Sequence, residues 1–183
     1  MSALTSVDLP FRTAAAETGV MNWLGTGRAK AGWRNPHDVG FVQVSSPSIH
    51  VSCLANIVAR AGAYNGTSGF CSGAPGCNID IKLTDGLYVV PTYYSLRYGN
   101  HCAAPKNWKL EGSADGVTFV LLSTHTNDGT LVQQPNSVGA WPIDVLKTVV
   151  PNRFNQFRLS TVTPPNSCFH VGCFEVYGRV ILP

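Results

Sequence analysis

Residues 108–126 read WKLEGSADGVTFVLLSTHT. Two runs of strand-forming residues flank Ala114-Asp115-Gly116, and the second run closes on a polar loop at 125–129. Asp-Gly between β-type runs is a strong hairpin signal, because Gly116 supplies the positive φ that such turns need. On the first arm Trp108, Leu110 and Gly112 share one face, with Lys109, Glu111 and Ser113 on the other. That alternation describes a strand with one wet side. The second arm, 117–122, is apolar on both faces apart from Thr118, which predicts a place nearer the centre of a sandwich.

Outside this hairpin, 18 Gly and 12 Pro punctuate the chain so that apolar runs stay short. Such spacing is the signature of many short strands. Candidate strands fall at 41–44, 78–82, 87–90, 93–98, 108–113, 117–123, 156–161 and 173–180. Only 49–61 has helical spacing, with Val51, Leu54, Ala55 and Val58 along one side, and its β-branched residues weaken it. The prediction is an all-β, two-sheet antiparallel β-sandwich with at most one or two short helices. Residues 10–183 are expected to form one domain after an extension at 1–9. Loops 66–76 and 128–139 are expected at the surface.

Composition narrows the function. A chain of 183 residues buries about 70% of its unfolded surface without help. Charged residues are 13%, roughly half of ordinary usage, and apolar residues 44%, the opposite of a disordered balance. The net charge of +3 is scattered, and no basic cluster supplies the electrostatic footprint that nucleic acid requires. No apolar run approaches the ~18 residues of a membrane span, and the amino end lacks the pattern of a secretory signal. The expected location is therefore cytoplasmic. Six cysteines at 53, 71, 77, 102, 168 and 173 admit fifteen pairings in an oxidising compartment. Cys168-x-His170-x-x-Cys173 offers three soft ligands, but its spacing, like that of Cys71 and Cys77, departs from the tight pairs of structural zinc sites. No metal or other cofactor is expected. Asn65-Gly66-Thr67 is a glycosylation sequon, relevant only to a secreted chain.

The run from Asn107-Trp108 through Gly112-Ser113, Asp115-Gly116, Phe119 and Leu122 resembles the hairpin of the discoidin, or coagulation factor V/VIII C-type, superfamily. These are galactose-binding-like jelly rolls. Gly19-Val-Met-Asn-Trp23-Leu-Gly-Thr and Trp33-Arg-Asn35-Pro36 are similar to the opening of the intracellular version found in some HECT-type ubiquitin ligases and BTB proteins. The segments at 89–99, His125-Thr-Asn127-Asp128, Ala140-Trp141-Pro142, Phe157-Arg158-Leu and Phe174-Glu-Val-Tyr177-Gly178 continue the resemblance in the family's order, over about residues 10–182. One departure stands out: where the family has an aromatic before the Asp of the 78–82 strand, this chain has Cys77-Asn78-Ile79-Asp80. No HECT, RING or BTB segment is present, so the resemblance implies no ligase activity.

Catalysis is not expected. Gly66-Thr-Ser68-Gly69 lacks the spacing of a nucleophile elbow, and the five histidines and ten carboxylates show no paired acid–base spacing. A jelly roll instead binds through loops that its strands hold at one end. Candidate contacts are Trp33, Arg34 and Asn35; Arg97, Tyr98, Asn100 and His101; and His125, Asn127 and Asp128. Asn35 and Asn127-Asp128 equally suit turn capping, and Arg97 suits an ion pair with Glu111. Trp23, Trp108 and Trp141 are read as core anchors, leaving Trp33 as the tryptophan for surface contact. The expected function is a non-catalytic protein-interaction module, an adaptor or a subunit of a larger assembly. The alternatives are a carbohydrate-binding domain, which the superfamily suggests, and a calcium-dependent receptor, for which loop carboxylates are sparse.

Overall fold

The computed structural model describes residues 5–14, 16–47, 54–61, 70–72, 77–99, 104–144, 152–162 and 169–183. Its strands are β1 (Ser6–Leu9), β2 (Val42–Ser45), β3 (Phe70–Ser72), β4 (Asn78–Leu83), β5 (Tyr88–Tyr98), β6 (Trp108–Ser113), β7 (Val120–His125), β8 (Val138–Pro142), β9 (Gln156–Thr161) and β10 (Phe169–Ile181). One short helix, α1 (Val20–Gly25), and a 3₁₀ turn (Leu54–Val58) complete the described elements. One sheet has the order β1-β10-β5-β8, with β3 also paired to β10, and the other β2-β4-β9-β6-β7. Every pairing is antiparallel. The two-sheet sandwich expected from the strand pattern is therefore present. No helix among the described residues is long and apolar enough to cross a membrane.

The period-2 pattern explains the core. Ile79, Ile81 and Leu83 of β4, Trp108 and Leu110 of β6, and Phe157 and Leu159 of β9 are buried from one sheet. Tyr94 and Leu96 of β5 and Phe174 and Val176 of β10 join the same core from the other. The first sheet is covered on its other face too. Phe11 stacks on Tyr93 with ring centroids 4.3 Å apart and meets Tyr177 edge-on at 5.2 Å. Two covered faces explain why β10 is buried along most of its length instead of alternating.

Helix α1 belongs to that cover. Gly19 at its N-cap supplies no side-chain acceptor. The need is met across 154 residues of sequence: Glu175 on β10 accepts hydrogen bonds from Met21 N at 2.7 Å and Asn22 N at 3.0 Å. Burial is the main influence on this carboxyl and pushes its pKa up to about 7, against the pull of the Met21, Asn22 and Val176 amides.

Several expectations are corrected. The runs at 87–90 and 93–98 are one strand that continues through Pro91. Pro91 has no N–H, and opposite it the register shifts between Tyr177 and Gly178. The Thr92 hydroxyl donates to the Tyr177 carbonyl at 3.4 Å beside this break. The second hairpin arm lies at the edge of its sheet, and Val117, outside β7, is 83% exposed. Ser113 and Asp115 instead build a wide turn in which Asp115 accepts from Val117 N and Thr118 N, both at 2.8 Å. Those bonds, led by Thr118, hold the Asp115 carboxyl down to about 2. The helical pattern at 49–61 yields only the 3₁₀ turn, and 49–53 lie outside the described residues. Residues 6–9, expected to precede the domain, are β1 and pair with β10 from Ser6↔Ile181 to Leu9↔Gly178.

Candidate functional site

Strand β5 ends, β6 begins and β7 ends at the same extremity of the sandwich, where Trp108 pairs with His125 in register. His125 lies with its ring stacked on Trp108, centroids 4.2 Å apart and planes 13° from parallel. Its Nδ1 is 2.7 Å from Asp128 Oδ2. Its Nε2 lies 2.7 Å from both the Tyr94 hydroxyl and the Ser123 hydroxyl. With the proton on Nδ1 facing the carboxylate, Nε2 accepts from the hydroxyls. Trp108 Nε1 donates to the Tyr94 hydroxyl at 3.0 Å, and Trp141 Nε1 donates to Asp128 Oδ2 at 2.9 Å. Asp128 Oδ1 accepts from Thr130 N at 2.7 Å, and Asp128 N donates to the Lys106 carbonyl at 2.9 Å.

Burial holds the His125 imidazole below its usual pKa, despite the opposing pull of Asp128. For Asp128 burial pushes upward, but the bonds from Thr130, His125 and Trp141 outweigh it and hold the carboxyl below the usual range. Burial raises Tyr94 well above an ordinary phenol. A neutral imidazole against an ionised carboxylate follows. Ser123, His125 and Asp128 have the connectivity of a nucleophile relay. Here, however, Nε2 is shared with the fully buried Tyr94, and Trp108 covers a face of the ring. The network fixes a loop.

What the loop presents is different. Asn127 sits at φ 52, exposed, with its backbone N–H donating to Asn107 Oδ1 at 2.8 Å. Leu131 is buried and anchors the loop beyond it, whereas Val132 is 50% exposed. Val162, just past the end of β9, is 56% exposed and donates its N–H to the Asn107 carbonyl at 3.3 Å. The described part of this end therefore shows amides, Lys106 and two valines, while the rings of Tyr94, Tyr98, Trp108 and Trp141 are buried beneath.

The other sequence-derived candidates separate. Arg97 points away from the His125 network: its Nη1 donates to the Asn136 carbonyl at 3.0 Å and its Nη2 is 3.6 Å from Glu17. The expected Glu111 partner is on the opposite sheet, paired with Lys109 at 2.9 Å. Tyr98 is buried, with its ring edge-on to His170. Asn100 and His101 lie outside the described residues. Asn35 caps a turn, accepting from His37 N at 2.9 Å and donating to the Ala55 carbonyl at 2.8 Å. Trp33 is half-buried under the Arg60 guanidinium, 5.0 Å from its ring centroid, and Arg34 is exposed. Of the core-anchor tryptophans, Trp108 and Trp141 are buried and Trp23 is half-buried. Among the described residues no group of three or more His, Cys, Asp or Glu side chains is placed to hold a metal ion. Cys173 is a buried thiol, pushed up to about 12 by burial, and Cys168 is outside the described residues. Sequence reasoning missed Tyr94, Ser123 and Trp141 as partners of His125. The i, i+2 spacing of Ser123 and His125 was the one available signal.

No protein-family model matches the chain. Among solved structures, the CBM32-5 module of GH89 from Clostridium perfringens, in complex with GalNAc-β-1,3-galactose, superposes with a TM-score of 0.57. It is 11% identical, over 76% of this chain and 96% of that one. The F5/8 type C domain of a Bacteroides fragilis protein superposes with a TM-score of 0.51 at 16% identity, over 76% of this chain and 93% of that one. The fold is that of the F5/8 type C, or discoidin, domains. In sequence the chain is 30% identical over 174 residues to E3 ubiquitin-protein ligase Ufd4 of Drosophila melanogaster, covering 90% of the chain. It is 29% identical over 181 residues to E3 ubiquitin-protein ligase hecd-1 of Caenorhabditis elegans, covering 96% of the chain. A BTB/POZ domain-containing protein of Arabidopsis thaliana is 28% identical over 170 residues, covering 87% of the chain. The chain spans only 6% and 7% of the length of the two ligases.

Proposed function

We propose that this discoidin domain is a non-catalytic protein-interaction module of an intracellular assembly, binding through the loop end built on the His125–Asp128 network. The carrying observation is the chemistry of that end. Val132 and Val162 are exposed in the segments that follow β7 and β9, Asn127 and Lys106 are exposed in the adjoining loops, and the described aromatic rings of Tyr94, Tyr98, Trp108 and Trp141 are buried. Sugar recognition needs a flat ring against the sugar face, whereas aliphatic side chains among amides suit a protein surface. The matches to ubiquitin ligases and a BTB/POZ domain-containing protein support membership of a larger assembly. Glycan binding is the second reading, favoured by the likeness in fold to the C. perfringens module in complex with GalNAc-β-1,3-galactose.

The test pairs affinity purification with a glycan array. The tagged chain is expected to retain specific protein partners that the doubly substituted Val132→Glu, Val162→Glu chain loses, with the array blank at millimolar glycan. Unchanged partners in the double variant, or saturable binding to a galactose-type glycan, would overturn the reading.

A further inference from the structure

A different surface lies at the opposite end of the second sheet. Residues 26–41 connect α1 to β2 and lean on the turn after β4, where Thr84 N donates to the Phe41 carbonyl at 3.1 Å. Gly25, Gly27 and Gly32 form walls of a concavity completed by Ala31, Val39 and Phe41, with Arg34 among its lining residues. It encloses about 450 Å³, counting the open solvent inside it. Its backbone is firmly held. Gly27, Arg28 and Ala29 stand in succession at φ 59, 63 and 64, a left-handed turn that side chains adopt only under constraint. Thr26 supplies the constraint, its hydroxyl accepting from Ala29 N at 3.1 Å and its carbonyl from Lys30 N and Ala31 N at 2.9 Å. The Arg28 guanidinium lies 5.6 Å from the Phe41 ring centroid and 3.1 Å from Asp85. Trp33 packs against Gly25 so closely that a Cβ there would meet the indole Nε1 at 2.4 Å.

The charge around this hollow is one-sided. Arg28 is already matched by Asp85, but Lys30 and Arg34 are exposed and make no ion pair with a described residue. Asp38 is the one acid between residues 25 and 41. A preformed apolar hollow beside uncompensated cations selects a ligand of matching composition. We propose that it seats a short acidic segment of a partner protein, in which one aliphatic side chain enters the hollow and a flanking carboxylate pairs with Arg34. The guanidinium fork suits a carboxylate. This site is separate from the loop end and does not depend on it.

The test titrates the 183-residue chain, followed by amide NMR, with the peptide acetyl-Asp-Asp-Leu-Asp-Asp-amide. The controls replace the central Leu by Gly, or all four Asp by Lys. The acidic leucine peptide is expected to give saturable shifts at Gly32, Val39 and Phe41, the glycine peptide much weaker ones and the lysine peptide none. Arg34→Glu is expected to weaken binding about tenfold or more, the scale of one charge-assisted contact. Gly32→Val is expected to weaken it by adding bulk to the lining, at a position where a Cβ meets no heavy atom within 4 Å and the fold tolerates it. Val132→Glu should leave peptide binding intact, which separates this site from the loop end. The proposal falls if no saturable shift appears at millimolar peptide, or if either control binds equally. It also falls if Arg34→Glu, melting as the parent does, binds equally. A concentration-dependent dimer blocked by Gly32→Val would assign the hollow to a second copy and overturn it as well.

Discussion

Asp128 shows how far one carboxylate reaches. It receives His125 Nδ1, Trp141 Nε1 and Thr130 N, so its removal leaves three donors without their acceptor. Asp128→Ala should therefore cost about 2–4 kcal/mol in urea unfolding, several times the ordinary surface substitution. A loss within experimental error would deny that the network holds the loop. Titration offers a second check at this scale, with two groups of opposite sign. The folded pKa of His125 is depressed by burial, so its contribution is present above the ordinary imidazole range of about 6.5 and is lost as pH falls below it. Glu175 is raised from 4.5 to about 7, so its contribution is full below 4.5 and is lost as pH rises through 7. Melting curves across this range should show a Glu175→Gln chain relieved of the decline on the higher side. An identical pH profile in parent and variant would show that Glu175 does not titrate as its burial requires. His125, Asn127 and Asp128 were legible as a loop motif, but the roles were not. Their polarity suggested contact, while burial against Trp108 turned two of the three inward.

At the scale of elements, strands were easier to read than their order. The 108–113 and 156–161 runs coincide with β6 and β9, because hydrophobic alternation directly reports a face on a core. The 117–123 run misleads, since apolar residues on both faces also suit an edge strand under a partly exposed surface. Leu121 is 47% exposed there. The bulge at Gly178 was equally hidden, because it answers Pro91, 87 positions earlier in the chain, across the β5–β10 pairing. Gly178 stands at φ 147, and a Cβ there would lie 2.1 Å from the Val90 carbonyl oxygen. Gly178→Ala is accordingly expected to lose several kcal/mol, or to fail to fold, measured by denaturant midpoint. A near-neutral midpoint would mean that the β5–β10 register is free to shift. On the outer face of the other sheet, Arg158 clasps Asp80 at 2.6 and 2.8 Å over the Phe119 ring. Arg158→Ala should cost about 1 kcal/mol, with part of that loss disappearing in high salt.

For the whole molecule the least legible decision was where the domain begins. Residues 1–9 were expected to be an extension, yet β1 pairs along the edge of β10, and Leu9 packs against the core. A chain lacking residues 1–9 should melt several degrees below the full chain, the scale of a kcal/mol or more of lost pairing. Equal melting temperatures would restore them to an extension. The sequence by itself determined the class: glycine and proline cut the apolar residues into short alternating runs, and such runs bury their oily faces only as stacked sheets. It also marked the first arm of the hairpin, which is β6, and Trp108 and Trp141 as core residues. Tertiary structure alone decided which candidates meet. It carried Arg97 to Glu17 rather than Glu111, placed Trp33 and Arg34 away from His125, and joined Glu175 to the start of α1. Those choices depend on sheet order and on a second covered face. Both arise from contacts between residues far apart in the chain, and local periodicity carries no record of them.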